Sequence, residues 1–181
     1  MAAALPMVLK NYFRDKLLEA KLLLTRESNQ ITDFFRQIND LNKVLIIVPR
    51  DRAEEVFVRK YLAQIRSIFK GTRISTLDVY NLRDYDLNWI GVPNQHYIKK
   101  LHDEKFDLVI DLNGHHDQLC TYLCLCTTAP LRQHLVPGRY DKIYNLQLRL
   151  EASASMDNRF RNLITYLSLM RGVKTDNKIP A

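Results

Sequence analysis

Glycine is scarce in this chain: five residues in 181, at positions 71, 91, 114, 138 and 172, each at a joint between apolar segments. Low-complexity tracts, internal repeats and a linker able to divide the chain are all missing. Cysteine is equally limited. Cys120, Cys124 and Cys126 fall within seven positions. An odd, tightly spaced set is no disulfide framework and points to a reducing compartment. No apolar run approaches the ~20 residues needed to span a bilayer. The opening "MAAALPMVLKNYF" lacks the basic and apolar regions of a signal peptide. Cytoplasm is therefore the expected location. Blocks of like charge are also wanting, although Lys+Arg outnumber Asp+Glu by 27 to 20, for a net charge of +7. That balance favours acidic partners in general. Its scatter reads as a solvated basic surface with no specific nucleic-acid target.

What is present is an alternation of helical and strand patterns. Residues 8–24 form an amphipathic helix, with Leu9, Phe13, Leu17, Ala20 and Leu24 at three- and four-residue steps. A short helix fits 29–39. "KVLIIVP" (43–49) is a continuous apolar run of the kind found in strands buried on both faces. Asp51 and Glu54 open a capped helix that carries Val56, Phe57, Tyr61, Ile65 and Phe69 and stops at Gly71. Strands follow at 73–79 and 106–112, separated by an irregular segment (80–93) and a helix at 94–104. A helix over 115–127, strands at 131–136 and 142–150, and a helix at 155–171 complete the pattern. Strand and helix in alternation predict an α/β class: a single Rossmann-like domain at 41–175, its sheet mostly parallel and flanked by helices. Residues 1–40 are expected as an N-terminal helical extension, and 176–181 as a tail.

In such sheets ligands bind at the carboxyl ends of strands. A phosphate site there needs glycines, so that bare amides can approach the anion. "PRDRAEE", after the first strand, has none, and sets Asp51, Glu54 and Glu55 at the helix start. The pattern argues against a dinucleotide site or a P-loop, and no cofactor is expected. "KFDLVIDLNGHHDQL" (105–119) offers a better place. Asp111 closes the strand, Asn113-Gly114 permits a tight turn, and His115-His116 sit on the first turn of the next helix. Asp111, Asn113, Gly114 and His115 are the candidate ligand-binding residues. Arg132, with His134, Arg139 and Tyr140 near a turn, could add an anion contact. His116, Cys120 and Cys124, at i, i+4 and i+8, span ~12 Å of helix, too far to share one metal. The cysteines read as core residues and no metal site is expected. Trp89, in "DLNWIGVPN", reads as a plug that seals the core beneath its loop.

"KVLIIVP" and the stretch 105–139 together resemble the first and third strands of the N-terminal domain of heptosyltransferases, which build lipopolysaccharide. A closer resemblance is to a short bacterial single-domain family distantly similar to them, with no assigned reaction. "LKNYFRDKLLEAKL", "DLNWIGVP", "FDLVIDL" and "YDKIYNLQLRLE" carry it. In heptosyltransferases a Gly-Asp pair opens the helix after the first strand, and its Asp resembles a general base. The corresponding positions here are Ala53-Glu54, which the resemblance makes a candidate catalytic base. The resemblance further implies a cleft completed by a second domain, which a partner chain would have to supply.

The expected function is thus non-catalytic: binding of a partner or small ligand by a remnant of a glycosyltransferase first domain. The alternative is a glycosyltransferase-like protein or subunit acting in cell-envelope polysaccharide synthesis. Expected partners are a protein or a second copy of the chain. Helix 8–24 could also make weak contact with anionic lipid, peripheral to the inner face of the membrane.

Overall fold

A computed structural model describes residues 7–24, 34–136, 143–148 and 153–172. Helices α1 (Met7–Leu24) and α2 (Phe34–Asn39) precede strand β1 (Lys43–Ile47). Next come α3 (Glu55–Ile68), β2 (Arg73–Leu77), α4 (Gln95–Asp103), β3 (Leu108–Asp111), α5 (Gln118–Cys126) and β4 (Leu131–His134). The described chain closes with β5 (Leu146–Gln147) and α6 (Met156–Met170). The strands form one sheet in the order β2-β1-β3-β4-β5, and every pairing is parallel. The chain is a single α/β domain.

Alternation within β1 and β3 builds both layers of core. Leu45, Ile47 and Val109 pack with residues of α4 and α5 on one face. Val44, Ile46, Leu108 and Ile110 pack with α3 and α6 on the other. A strand covered on both sides has no wet face, which is why both read as unbroken apolar runs. α5 is buried from Leu119 to Cys126 and also meets α1. Burial pushes the thiols of Cys120 and Cys124 far above their usual range, so they stay protonated. α2 is tied into the domain: Ile38 is buried, and Arg171 at the end of α6 donates to the carbonyls of Ile38 (2.7 Å) and Asn39 (3.0 Å).

Two sequence expectations need correction. Trp89 is no plug: it is 64% exposed. Its loop is sealed by buried Val92 and by Leu82 and Ile90, which pack on the core. The Asn88 side chain accepts from the amides of Ile90 and Val92. Gly91, at φ +81°, supplies the left-handed turn between them. That clamp orients Ile90 and Val92 inward. The second correction concerns the helix expected at 115–127. It starts at Gln118, because Asp117 is its N-cap and accepts from the Cys120 amide at 2.9 Å. His115 and His116 therefore lie in the loop. Of the strand expected at 142–150, the described part pairs over Leu146–Gln147. The tail at 176–181, Arg139 and Tyr140 lie outside the described residues.

Candidate functional site

β1 and β3 are neighbours, but the next strands along the chain lie on opposite sides of them, so the order reverses between these two. In open α/β sheets the ligand site lies at such a reversal, outside the carboxyl ends of the two strands. Residues 48–54 and 112–117 form the loops at those ends. They are cross-linked by their own polar groups. The Arg50 amide donates to Asn113 Oδ1 at 2.9 Å, and Arg50 Nη1 lies 3.2 Å from Asp117 Oδ2.

Glu54 is the residue that joins them most closely. The sequence suggested that it caps its own helix, as Asp51 does. Asp51 indeed accepts from the Ala53 amide at 2.8 Å. Glu54 makes no side-chain cap. It reaches across the crevice and accepts from the Gly114 amide at 2.8 Å, with His115 Nδ1 3.5 Å from its other oxygen. Its side chain is 13% exposed and that of His115 is 53% exposed. Three of the sequence candidates, Glu54, Gly114 and His115, are thus brought together. Sequence reasoning missed the contact because its partners are sixty residues apart and share no local pattern.

Gly114 is there for space. A Cβ built on it would fall 2.5 Å from Met156 Sδ, and nearer still to Glu54 Oε1. Both neighbours are ends of flexible side chains, so an alanine fits only by driving Glu54 off the amide. Gly114→Ala should cost about 1–2 kcal/mol, the loss of a charge-assisted bond plus strain. Glu54→Ala should cost a similar amount, and Glu54→Gln less, since an amide oxygen still accepts. The double variant should cost less than the sum of the singles, because the alanine then meets no carboxylate. Urea midpoints of the four proteins measure this; strict additivity would show that the two residues do not interact.

Asp111 and Asn113 serve the interior. Both are fully buried. Asp111 Oδ1 accepts from the Asn113 amide (3.1 Å) and side chain (2.6 Å), and Oδ2 accepts from the Tyr144 hydroxyl (2.6 Å). Tyr144 stacks on His134 (4.7 Å, 19°), and His134 meets His116 (4.9 Å, 34°). Burial, and then the Asp111 charge, hold the Tyr144 pKa well above its ordinary value, so it donates at all working pH. This polar ladder sets the floor of the crevice. Arg132 is elsewhere: it lies within β4 beside Val109, 2% exposed, where burial lowers its pKa. Among the described residues no group of three His, Cys, Asp or Glu side chains is placed to hold a metal ion.

The arrangement has a chemical consequence. A phosphate at a strand end needs free amides. Here the amides of Arg50, Ala53, Glu54, Glu55, Asn113 and Gly114 all donate to acceptors of the chain itself. Glu54 puts a carboxylate oxygen where an anionic ligand would have to lie.

Residues 10–170 match a family of unknown function (DUF6913). No curated protein and no solved structure gives a significant match. Among the described residues no helix is long and apolar enough to cross a membrane.

Proposed function

The chain belongs to this family of unknown function, and we propose that it is a non-catalytic binding protein that docks through the outer face of α1. One observation carries the reading. α1 shows Val8, Leu9, Tyr12, Phe13 and Leu17 to solvent, while Lys10, Arg14, Asp15 and Glu19 are half-buried. A helix laid on a domain normally turns its apolar stripe inward. Five large apolar side chains left in water on successive turns mark a surface that is covered in use. The family match begins at residue 10 and so takes in most of α1. The crevice fits the same reading, since the amides of Arg50, Ala53, Glu54, Glu55, Asn113 and Gly114 are already committed. Under this reading the protein resides in the cytoplasm, peripheral to the inner face of the membrane when docked.

Gel filtration of a fresh extract tests the proposal. The wild type should run with larger or sedimentable material, and a Phe13→Gln/Leu17→Gln variant as a monomer of 21.3 kDa. Glutamine is a good helix former, so the helix itself is retained. Identical monomeric profiles for both proteins would end the docking idea.

A second reading is a glycosyltransferase-like, heptosyltransferase-related subunit. The meeting of Glu54, Gly114 and His115 at the strand-order reversal favours it. Glu54 would then be the base for an acceptor hydroxyl. It would first have to leave the Gly114 amide. Calorimetry with a nucleotide-sugar decides: no heat at saturating ligand removes this reading.

A further inference from the structure

We infer that β2 pairs, edge to edge and antiparallel, with β2 of a second copy of the chain, and that Arg73 of each copy enters a cleft of the other. β2 ends the sheet, and among the described residues no strand lies beyond it. In a parallel pair each residue turns its N–H and C=O to the same side. The Arg73 amide donates to the Asn42 carbonyl, and the Leu77 carbonyl accepts from the Val48 amide, both at 2.9 Å. Arg73, Ser75 and Leu77 therefore face β1, and Ile74 and Thr76 turn their backbone groups outward. Natural edges are guarded by proline, lysine or a bulge. "RISTL" holds neither proline nor lysine, and its register with β1 runs unbroken from Lys43↔Arg73 to Ile47↔Leu77. Donors and acceptors set at this spacing are matched by another extended backbone.

Symmetry and charge select a second copy as that backbone. Antiparallel pairing about a two-fold axis uses the same patch twice and closes on itself. The register that overlaps the whole strand sets Ser75 against Ser75, two small side chains that meet without a clash. Ile74 of each copy then exchanges both backbone bonds with Thr76 of the other. The same register sets Arg73 opposite the partner's Leu77, with both side chains on one face. On that face a cleft of about 560 Å³ opens beside Leu77, floored by Leu82 and Tyr97 and edged by Asp78 and Asp86. Asp86 Oδ2 accepts from the Arg83 amide at 3.1 Å, and its Oδ1 holds no hydrogen bond. Of the cleft's own cations, Arg83 lies over the Tyr85 ring at 5.5 Å, the charge of Lys100 acts on Glu104, and His96 stands exposed on the rim. Arg73 is exposed and hydrogen-bonded to no carboxylate. A foreign peptide would find the same ladder, but a second copy brings a cation to the carboxylates at a fixed register.

A single short strand makes a small interface, so the pairing is weak and belongs to concentrated protein, not to a dilute extract. It is independent of docking through α1. The test is sedimentation equilibrium of the intact purified protein over roughly 5–500 μM, with hydrogen exchange at both ends of that range. A monomer–dimer equilibrium that stops at the dimer is expected. The Ile74 and Thr76 amides should exchange several-fold more slowly at the high end. Those of Ser75 and Leu77, already in the ladder with β1, should not change. Thr76→Pro removes a donor that faces outward, so it should abolish the dimer with a thermal midpoint near that of the wild type. Arg73→Glu should weaken pairing roughly tenfold or more, and Arg73→Glu/Asp86→Lys should recover part of the loss. A monomer throughout overturns the inference. So does a dimer that leaves the Ile74 and Thr76 amides unprotected, one indifferent to Arg73→Glu, or one that Phe13→Gln/Leu17→Gln abolishes. Exchange in the wild type decides the matter even where a variant fails to fold.

Discussion

Replacing Asp111 with alanine should destabilise the protein by about 3–5 kcal/mol, because it removes the shared acceptor of three buried donors, of which the Tyr144 hydroxyl alone keeps another, Thr121 Oγ1 at 3.2 Å. The Tyr144 hydroxyl, the Asn113 amide and the Asn113 side chain all donate to this one carboxylate. Asp111 is fully buried, and so is Asn113, so water cannot replace what is lost. For a chain of this length the thermal midpoint should fall by ~2–4 °C per kcal/mol. Asp111→Asn should cost less. One oxygen still accepts from Asn113, and the Tyr144 hydroxyl can turn to accept from the new amide. Tyr144→Phe should cost about 1.5–3 kcal/mol, the value of a hydrogen bond to a charged group. It also carries a pH signature. The folded-state pKa of Tyr144 lies above its ordinary 10.0. The folded protein therefore holds this proton more tightly than the unfolded chain. The stabilisation is intact below pH 10 and is lost as pH rises toward the folded-state value. Tyr144→Phe should flatten the alkaline side of the stability curve. A wild-type-like midpoint for Asp111→Ala would mean that the ladder does not hold the crevice floor.

The ladder also shows where sequence reasoning succeeds and where it stops. β1 and β3 were legible because a strand covered on both faces leaves one mark, an unbroken apolar run, that needs no knowledge of neighbours. The α/β class followed from alternation alone. Asp111, Asn113, Gly114 and His115 were found because a strand end followed by Asn-Gly is a local signal. Their division of labour was not local. Asp111 takes its second partner, Tyr144, from thirty-three residues away, and Glu54 its amide from sixty away. Nothing in "RAEE" distinguishes a glutamate that caps its own helix from one that spans a crevice. His115 and His116 read as helical because two residues before a helix share its polar pattern, and only the Asp117 cap shows that the helix starts after them. Arg132 falls in a strand, as its apolar neighbours predict, but the pattern does not say that the strand buries it to 2% exposure, away from any turn-side anion. Trp89 failed for the opposite reason: its neighbourhood predicted a turn correctly, but a turn does not say which side chain points inward.

The other large effect lies behind the site, at the seam of α3 and α6. Phe160 is fully buried and stacks between Tyr61 (5.2 Å, 6°) and Phe57 (6.3 Å, 14°). Phe160→Ala should cost about 3–5 kcal/mol through lost burial and the cavity left behind. Phe160→Leu should cost about 1–1.5 kcal/mol, because most of the volume is kept. Around the seam the polar groups are exposed or half-buried: Asp157 accepts from Tyr61 (2.7 Å) and Lys60 (2.6 Å), and Arg161 pairs with it at 2.8 Å. Solvent screens those pairs, so the aromatic stack is the dominant tie. The consequence reaches the crevice. α6 begins at Met156, whose sulfur sits behind Gly114. Loosening the first turns of α6 withdraws the wall that keeps Glu54 on the Gly114 amide. Hydrogen exchange reads the two effects separately. In Phe160→Leu the Gly114 amide should exchange faster than the global loss of stability requires, while amides of β1 follow that loss alone. Equal acceleration at both places would show that α6 supports the fold without positioning the site.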